Sequence, residues 1–320
     1  MFAFLLITSH LSILANQPRM PETPNRPLVA QSAAQSARRI LHARGAEIEV
    51  DIKLADAALQ TEDVLAWVRR ATEAVTTYYG DFPVRRARVS VIQTRDEDRS
   101  IHGTTWGNID GYQGVSRMRI GRIVSSTDLE ADWTMTHELI HMAFASLADE
   151  HHWLEEGLAT YVEPIARSQD GQLSAEKVWG DLVSDMGQGE PQSGDHGLDR
   201  THTWGRTYWG GAMFCLVADV EIRRATANRK GLQDALRAIA AAGHTINTES
   251  ELSSVLQLGD RATGTTILSD LYRNWKDTPV NVNLNQLWDQ LGIRRGPHRI
   301  EFSDTAPLAN IRKAITARPR

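Results

Sequence analysis

Apolar and polar residues alternate through residues 46–54, AEIEVDIKL, and that period of two predicts a half-buried strand. Over residues 61–79 the period lengthens. Val64, Leu65, Trp67, Val68, Ala71 and Val75 recur at helical spacing, and the turn-forming GDFP at 80–83 ends the helix. Residues 87–92 and 115–120 predict two further strands, separated by a glycine-rich excursion over 102–114. A second helix is expected from residue 127, where TDLE reads as a capping box with acidic residues in the first turn. Its apolar face carries Leu129, Trp133, Leu139, Ile140, Ala143, Phe144 and Leu147. A third helix, starting near Trp153, would run back beside it. Further on the pattern is helical over 206–224, 231–239, 248–258, 269–275 and 284–291, the last stopped by Gly292. This order predicts an α+β fold, with a small mixed sheet against helices over 46–165 and a mainly helical half over 166–293.

The remaining segments predict less structure. Residues 1–15, MFAFLLITSHLSILA, are apolar but too short to span a bilayer. They resemble the apolar core of a secretory signal with cleavage after Ala15, although no Lys or Arg precedes that core, and so imply a secreted or periplasmic protein; a misassigned start and an N-terminal membrane tether are the competing readings. Four prolines in 16–27 predict an unstructured linker, and a short helix is expected over 29–43. Residues 181–203, rich in Gly, Asp, Ser and His, read as a long surface loop. Residues 294–320 read as a tail, basic and mostly exposed from residue 300 onward.

Composition narrows the function classes. A chain of 320 residues, 41% hydrophobic and 23% charged, is long and apolar enough for one large or two modest globular domains. Its net charge of −5 argues against a nucleic-acid binder, and Arg85, Arg86 and Arg88 read as a solvated strand edge. One cysteine, Cys215, in the apolar run AMFCLV, excludes an internal disulfide framework and a thiolate zinc cluster; a buried, inert thiol is expected.

The helix expected from residue 127 carries the chemistry. His137, Glu138 and His141 form an H-E-x-x-H pattern. On a helix, residues four apart stack on one face, so both imidazoles can reach one Zn²⁺ at about 2.0–2.1 Å. Glu138, rotated away from that pair, can meet a water on the metal instead of the metal itself. A third protein ligand is still needed. The helix from Trp153 offers Glu155 and Glu156, while His151 and His152 read as loop residues.

The run WLEEGLATYVE at 153–163 resembles the gluzincin metallopeptidases of the peptidase MA clan, in which the Glu before the Gly is the third zinc ligand. The resemblance therefore favours Glu156 over Glu155. It also implies that Gly157 lets two helices approach, and that Glu163 is either a partner of a ligand histidine or a solvated helix-end carboxylate. Residues 206–224 are similar to the region that carries the catalytic tyrosine in the M1 and M61 peptidase families, and Tyr208 holds that place. Its other reading is a packed Tyr with its hydroxyl satisfied by backbone.

The likeness covers about residues 46–293. It implies a thermolysin-like gluzincin catalytic domain whose strand before the H-E-x-x-H helix lines the cleft. Aminopeptidases of this clan hold the substrate's amine with a glutamate just before that helix. Here the segment GVSRM at 114–118 has none, and Arg117 falls at that place, where it would favour a carboxylate-bearing group. The function implied is a zinc-dependent metallopeptidase acting on peptide or protein substrates. Zn²⁺ held by His137, His141 and Glu156 would activate a water, Glu138 would be the general base, and Tyr208 would stabilise the oxyanion. The competing readings are a zinc-retaining, non-catalytic peptide-binding scaffold and a hydrolase of a non-peptide substrate. Neither a nucleic-acid partner nor a stable membrane span is expected.

Overall fold

The computed structural model describes residues 35–55, 59–296 and 299–319. Strand β1 (Gln35–Ala43) pairs antiparallel with β2 (Ala46–Leu54), whose alternate residues Ile48, Val50, Ile52 and Leu54 are buried. Helix α1 (Thr61–Tyr79) then crosses the sheet, so β3 (Arg86–Gln93) lies parallel to β2. Two more strands, β4 (Ile101–Ile109) and β5 (Tyr112–Ile120), form a hairpin. Its second strand pairs parallel with β3, which leaves β4 on the edge in the order β1-β2-β3-β5-β4.

Two expectations are corrected in this layer. Residues 35–43 form β1 and not part of a helix, because pairing along the whole of β2 outweighs the helix-favouring Gln, Ala, Arg and Leu of that segment. Residues 29–34, the linker and the apolar segment 1–15 lie outside the described residues. The glycine-rich excursion is itself the edge strand β4. Asp110 and Gly111 make its turn at φ 50° and 78°, a conformation suited to a tight hairpin.

The helix expected from residue 127 is in fact two. Helix α2 (Ser126–Ala131) is capped by Ser125 with Asp128, two residues before the expected TDLE box. Helix α3 (Thr134–His141) starts afresh because Asp132 accepts both the Met135 amide at 3.0 Å and the Trp67 indole N–H at 2.9 Å. After His141 helix α3 gives way to tighter turns, in which the amides of Met142, Ala143 and Phe144 bond three residues back, and Ser146 then bridges in parallel to Glu249. Helix α4 (His152–Gln169) runs against α3 and against α6 (Gly211–Ala225). The α4–α6 approach requires glycine. A Cβ on Gly157 would lie 2.2 Å from the Gly211 Cα, backbone that has no room to yield.

Helices α5 (Ala175–Asp185), α7 (Leu232–Ala241), α8 (Leu252–Thr263), α9 (Ile267–Trp275) and α10 (Leu284–Leu291) complete the helical layer. The loop expected over 181–203 is shorter than that, because α5 and a 3₁₀ turn at Met186–Gly189 occupy its first part. Nor is the C-terminal segment an exposed tail. Strands β6 (Ile293–Arg295) and β7 (Ile300–Phe302) pair, and helix α11 (Ala309–Thr316) buries Ile311 and Ile315, one turn apart. Arg312 is buried between them and donates to the carbonyls of Leu291 and Gly292, so a charge that read as solvated closes the end of α10. One apolar core runs from Ile48 to Ile315, and Cys215 sits within it as a buried thiol. No helix among the described residues is long and apolar enough to cross a membrane.

Candidate metal centre

His137 and His141 project from one face of α3 toward α4, where Glu156 meets them. His137 Nε2 lies 3.1 Å from Glu156 Oε2, and His141 Nε2 lies 3.6 Å from the same oxygen. The three donor atoms fall within 4.8 Å of one another, a grouping that could hold a metal ion. Burial opposes charge on all three groups, yet Glu156 is held well below the usual carboxylate range by the two imidazoles. Burial pulls His137 down despite Glu156, whereas at His141 the carboxylate outweighs burial and raises it. Glu155, the rival in sequence, also lines the cleft, but its oxygens are engaged: one accepts the Leu147 amide at 3.1 Å and the other His152 Nδ1 at 3.1 Å.

Glu138 leaves α3 in a different direction and meets the edge strand. Its Oε2 accepts from Thr105 Oγ1 at 2.7 Å, and Thr105 Oγ1 lies 2.7 Å from Ser116 Oγ, its cross-strand partner in the β4–β5 register. A hydroxyl has one proton to give. If Ser116 donates to Thr105, then Thr105 donates to Glu138, and the carboxylate is held from both strands. Gly103 on the same face lets Glu138 in, since a Cβ there would stand 2.3 Å from Glu138 Cγ. Sequence reasoning missed Thr105 and Ser116. The only signal was the Asp110–Gly111 turn, which implies a hairpin and therefore a shared face for positions 103, 105 and 116.

Tyr208 lies on a π turn over Arg206–Gly210 at the head of α6, the wide helical geometry that often marks functional positions. Its ring stacks at 21° on His137, centroids 6.3 Å apart, and Trp204 also stacks on it at 27° and 5.7 Å. Burial, with the neighbouring Glu156 charge added, pushes the Tyr208 phenol up to about 12, so it stays a proton donor. His152 is at the first turn of α4, exposed, with Nε2 3.4 Å from Glu156 Oε1. His151 turns away and gives Nδ1 to Asp199 at 3.1 Å. Asp199 also takes the Trp153 indole N–H at 2.7 Å and the Tyr272 hydroxyl at 2.9 Å, which ties the loop before Tyr208 to α4 and α9. Glu163 is buried, not at a solvated helix end. It pairs with Arg167 at 2.8 Å, and burial pushes its carboxyl up to about 7 against the pull of that guanidinium. Arg117 is exposed over the Trp106 ring at 5.5 Å, on the sheet face opposite Ser116. The period of two along β5 puts it there, so it cannot stand in for an amine-binding glutamate beside Glu138.

These groups surround a cavity of about 810 Å³ whose walls include His137, Glu138, His141, Glu156 and Tyr208 on one side and residues 101–107 of β4 on the other. The strand that lines the cleft is therefore β4, not β5, which is enclosed between β3 and β4.

No protein-family model matches the chain, and no curated protein matches it. Solved structures do. An aminopeptidase N family protein from Idiomarina loihiensis is 12% identical and superposes with a TM-score of 0.63, over 81% of this chain and 49% of that one. A mutant of an M1 zinc metallopeptidase from Deinococcus radiodurans is 15% identical with a TM-score of 0.50, over 78% of this chain and 54% of that one. The chain thus spans about half the length of these similar proteins. At such identities the likeness is one of architecture: the α+β fold of this chain, a mixed five-stranded sheet packed with helices, is shared with these two structures.

Proposed function

We propose that the chain is a zinc-dependent metallopeptidase of gluzincin type that hydrolyses peptide bonds in the cleft between α3 and β4. The observation that carries this reading is the convergence of two imidazole nitrogens and one carboxylate oxygen beside a separately held carboxylate, Glu138. The donor set fits zinc. Two neutral nitrogens and one oxygen are a catalytic zinc complement, and each Nε2 turns to Glu156. His137, His141 and Glu156 would hold the ion. Bound there, zinc supplies Lewis acidity that activates a water and polarises a carbonyl.

The chain's own residues then divide the work. Glu138, fixed by Thr105, takes the proton of the attacking water and returns it to the leaving amine. Tyr208, protonated at neutral pH, donates to the developing oxyanion of the substrate. The unpaired edge of β4 offers backbone donors and acceptors to an extended peptide, which would add as a sixth strand beside the five present.

The expected result is that purified protein carries about one zinc per chain and cleaves members of a mixed peptide library. Chelator abolishes cleavage and added zinc restores it. A zinc-loaded protein that binds peptides but leaves every one intact would be a binding scaffold instead, and one that neither binds nor cleaves them would be a hydrolase of a non-peptide substrate. The base and the phenol argue against the scaffold, because a binding module needs neither.

A further inference from the structure

Behind Tyr208 lies a second cavity, of about 480 Å³, that the chemistry above does not use. It shares Trp133, His137 and Tyr208 with the first cavity, so the two meet at the candidate metal centre. Its mouth is marked by tryptophan. Trp133 and Trp204 are 54% and 60% exposed, although indole is costly to leave in water, and Trp209 adds a third ring inside. Pro164, Leu173 and Leu182 continue the apolar wall.

The floor is different. Glu163 and Arg167 are 7% and 6% exposed and joined by one hydrogen bond, Arg167 Nη1 to Glu163 Oε1 at 2.8 Å. Among the described residues, Glu163 Oε2 and the other nitrogens of Arg167 have no further hydrogen bond. An acceptor and a donor with capacity to spare therefore stand side by side on the cavity wall, where a group entering the cavity can reach both. A cationic tip entering here would meet Arg167, and an anionic tip would meet Glu163. A neutral hydroxyl satisfies both, donating to Glu163 and accepting from Arg167.

We propose that this cavity is a substrate subsite for a hydroxylated aromatic side chain, that of tyrosine, on a peptide residue next to the bond that is cut. The ring lies between the tryptophans and its hydroxyl reaches the Glu163–Arg167 floor. The proposal rests on the peptidase reading for its position along the substrate, but on the cavity alone for its chemistry.

The test is binding to zinc-loaded Glu138→Gln protein, followed by indole fluorescence. The probes are blocked alanine hexapeptides in which Tyr, Phe, Glu or Arg replaces Ala at each position in turn. At one position Tyr should bind about tenfold more tightly than Phe, and more tightly still than Glu or Arg. Arg167→Met should bring Tyr down to the level of Phe. Because that variant leaves Glu163 buried without its partner, a second, Ala131→Phe, narrows the cavity from an exposed position and should also remove the preference for Tyr. Equal affinity for Tyr and Phe, a preference for Glu or Arg, or a Tyr preference that survives Ala131→Phe would each overturn the subsite. Wild-type protein that binds the best Tyr peptide with this preference, yet never cleaves it, would remove the peptidase reading and leave the subsite standing.

Discussion

Glu138→Gln is expected to lower turnover by roughly 10²–10⁴-fold, the range spanned by a positioned general base, while zinc content stays at the wild-type level. The amide matches the carboxylate in shape and its oxygen can still accept from Thr105, so the fold of the cleft has no reason to change. What it cannot do is take a proton from water. The three donors on the other side of α3 are untouched, since Glu138 projects to β4 and they converge on α4. A companion substitution separates holding the base from being the base. Thr105→Val removes the hydroxyl at 2.7 Å while keeping the β-branched shape, and should cost about tenfold in kcat with KM and zinc little altered. Thr105→Ser should restore most of it. If Glu138→Gln stays within tenfold of wild type, the carboxylate is not the base. If Thr105→Val loses zinc as well as rate, Thr105 supports the fold and does not position the carboxylate.

What the chain discloses and what it conceals follow a physical line. His137 and His141 were legible because their geometry is local, one helical turn, whereas Glu156 was told from Glu155 only by the resemblance of residues 153–163 to the gluzincins; the structure brings the three together. Gly157 was legible for a similar reason, as a small residue one position after a candidate ligand. Thr105 was not. Its distance from Glu138 is set by the register of β4 against β5 and by the seating of α3 on the sheet, and neither leaves a pattern across a separation of 33 residues. The break between α2 and α3 was hidden likewise, because Asp132 caps the new helix while receiving a hydrogen bond from Trp67, a residue of α1. Charge misled at the C-terminus. Arg312 suggested solvent, but the interval from Ile311 to Ile315 makes an apolar stripe that docks, and the guanidinium goes with it to cap a buried helix end.

Glu156→Gln is expected to lower zinc affinity by at least about a hundredfold, whereas Glu155→Gln should leave it unchanged. Loss of a group that only orients a ligand costs roughly 10–100-fold, and a direct donor should cost no less. In the structure the two glutamates are adjacent in sequence but opposed in role. Glu156 Oε2 is the oxygen shared by both imidazoles, while Glu155 spends its oxygens on the Leu147 amide and on His152. A hundredfold loss of affinity removes about 2.7 kcal/mol of zinc-linked stability at saturating metal, so the rise in Tm that zinc produces in the wild type should shrink by several degrees. Glu155→Gln should lower stability by no more than about 1 kcal/mol through lost hydrogen bonding and retain the full zinc response in Tm. Metal titration of the two variants beside the wild type decides the matter. A zinc response kept by Glu156→Gln and lost by Glu155→Gln would move the third donor by one residue, and with it the direction from which Tyr208 and Glu138 would have to approach the substrate.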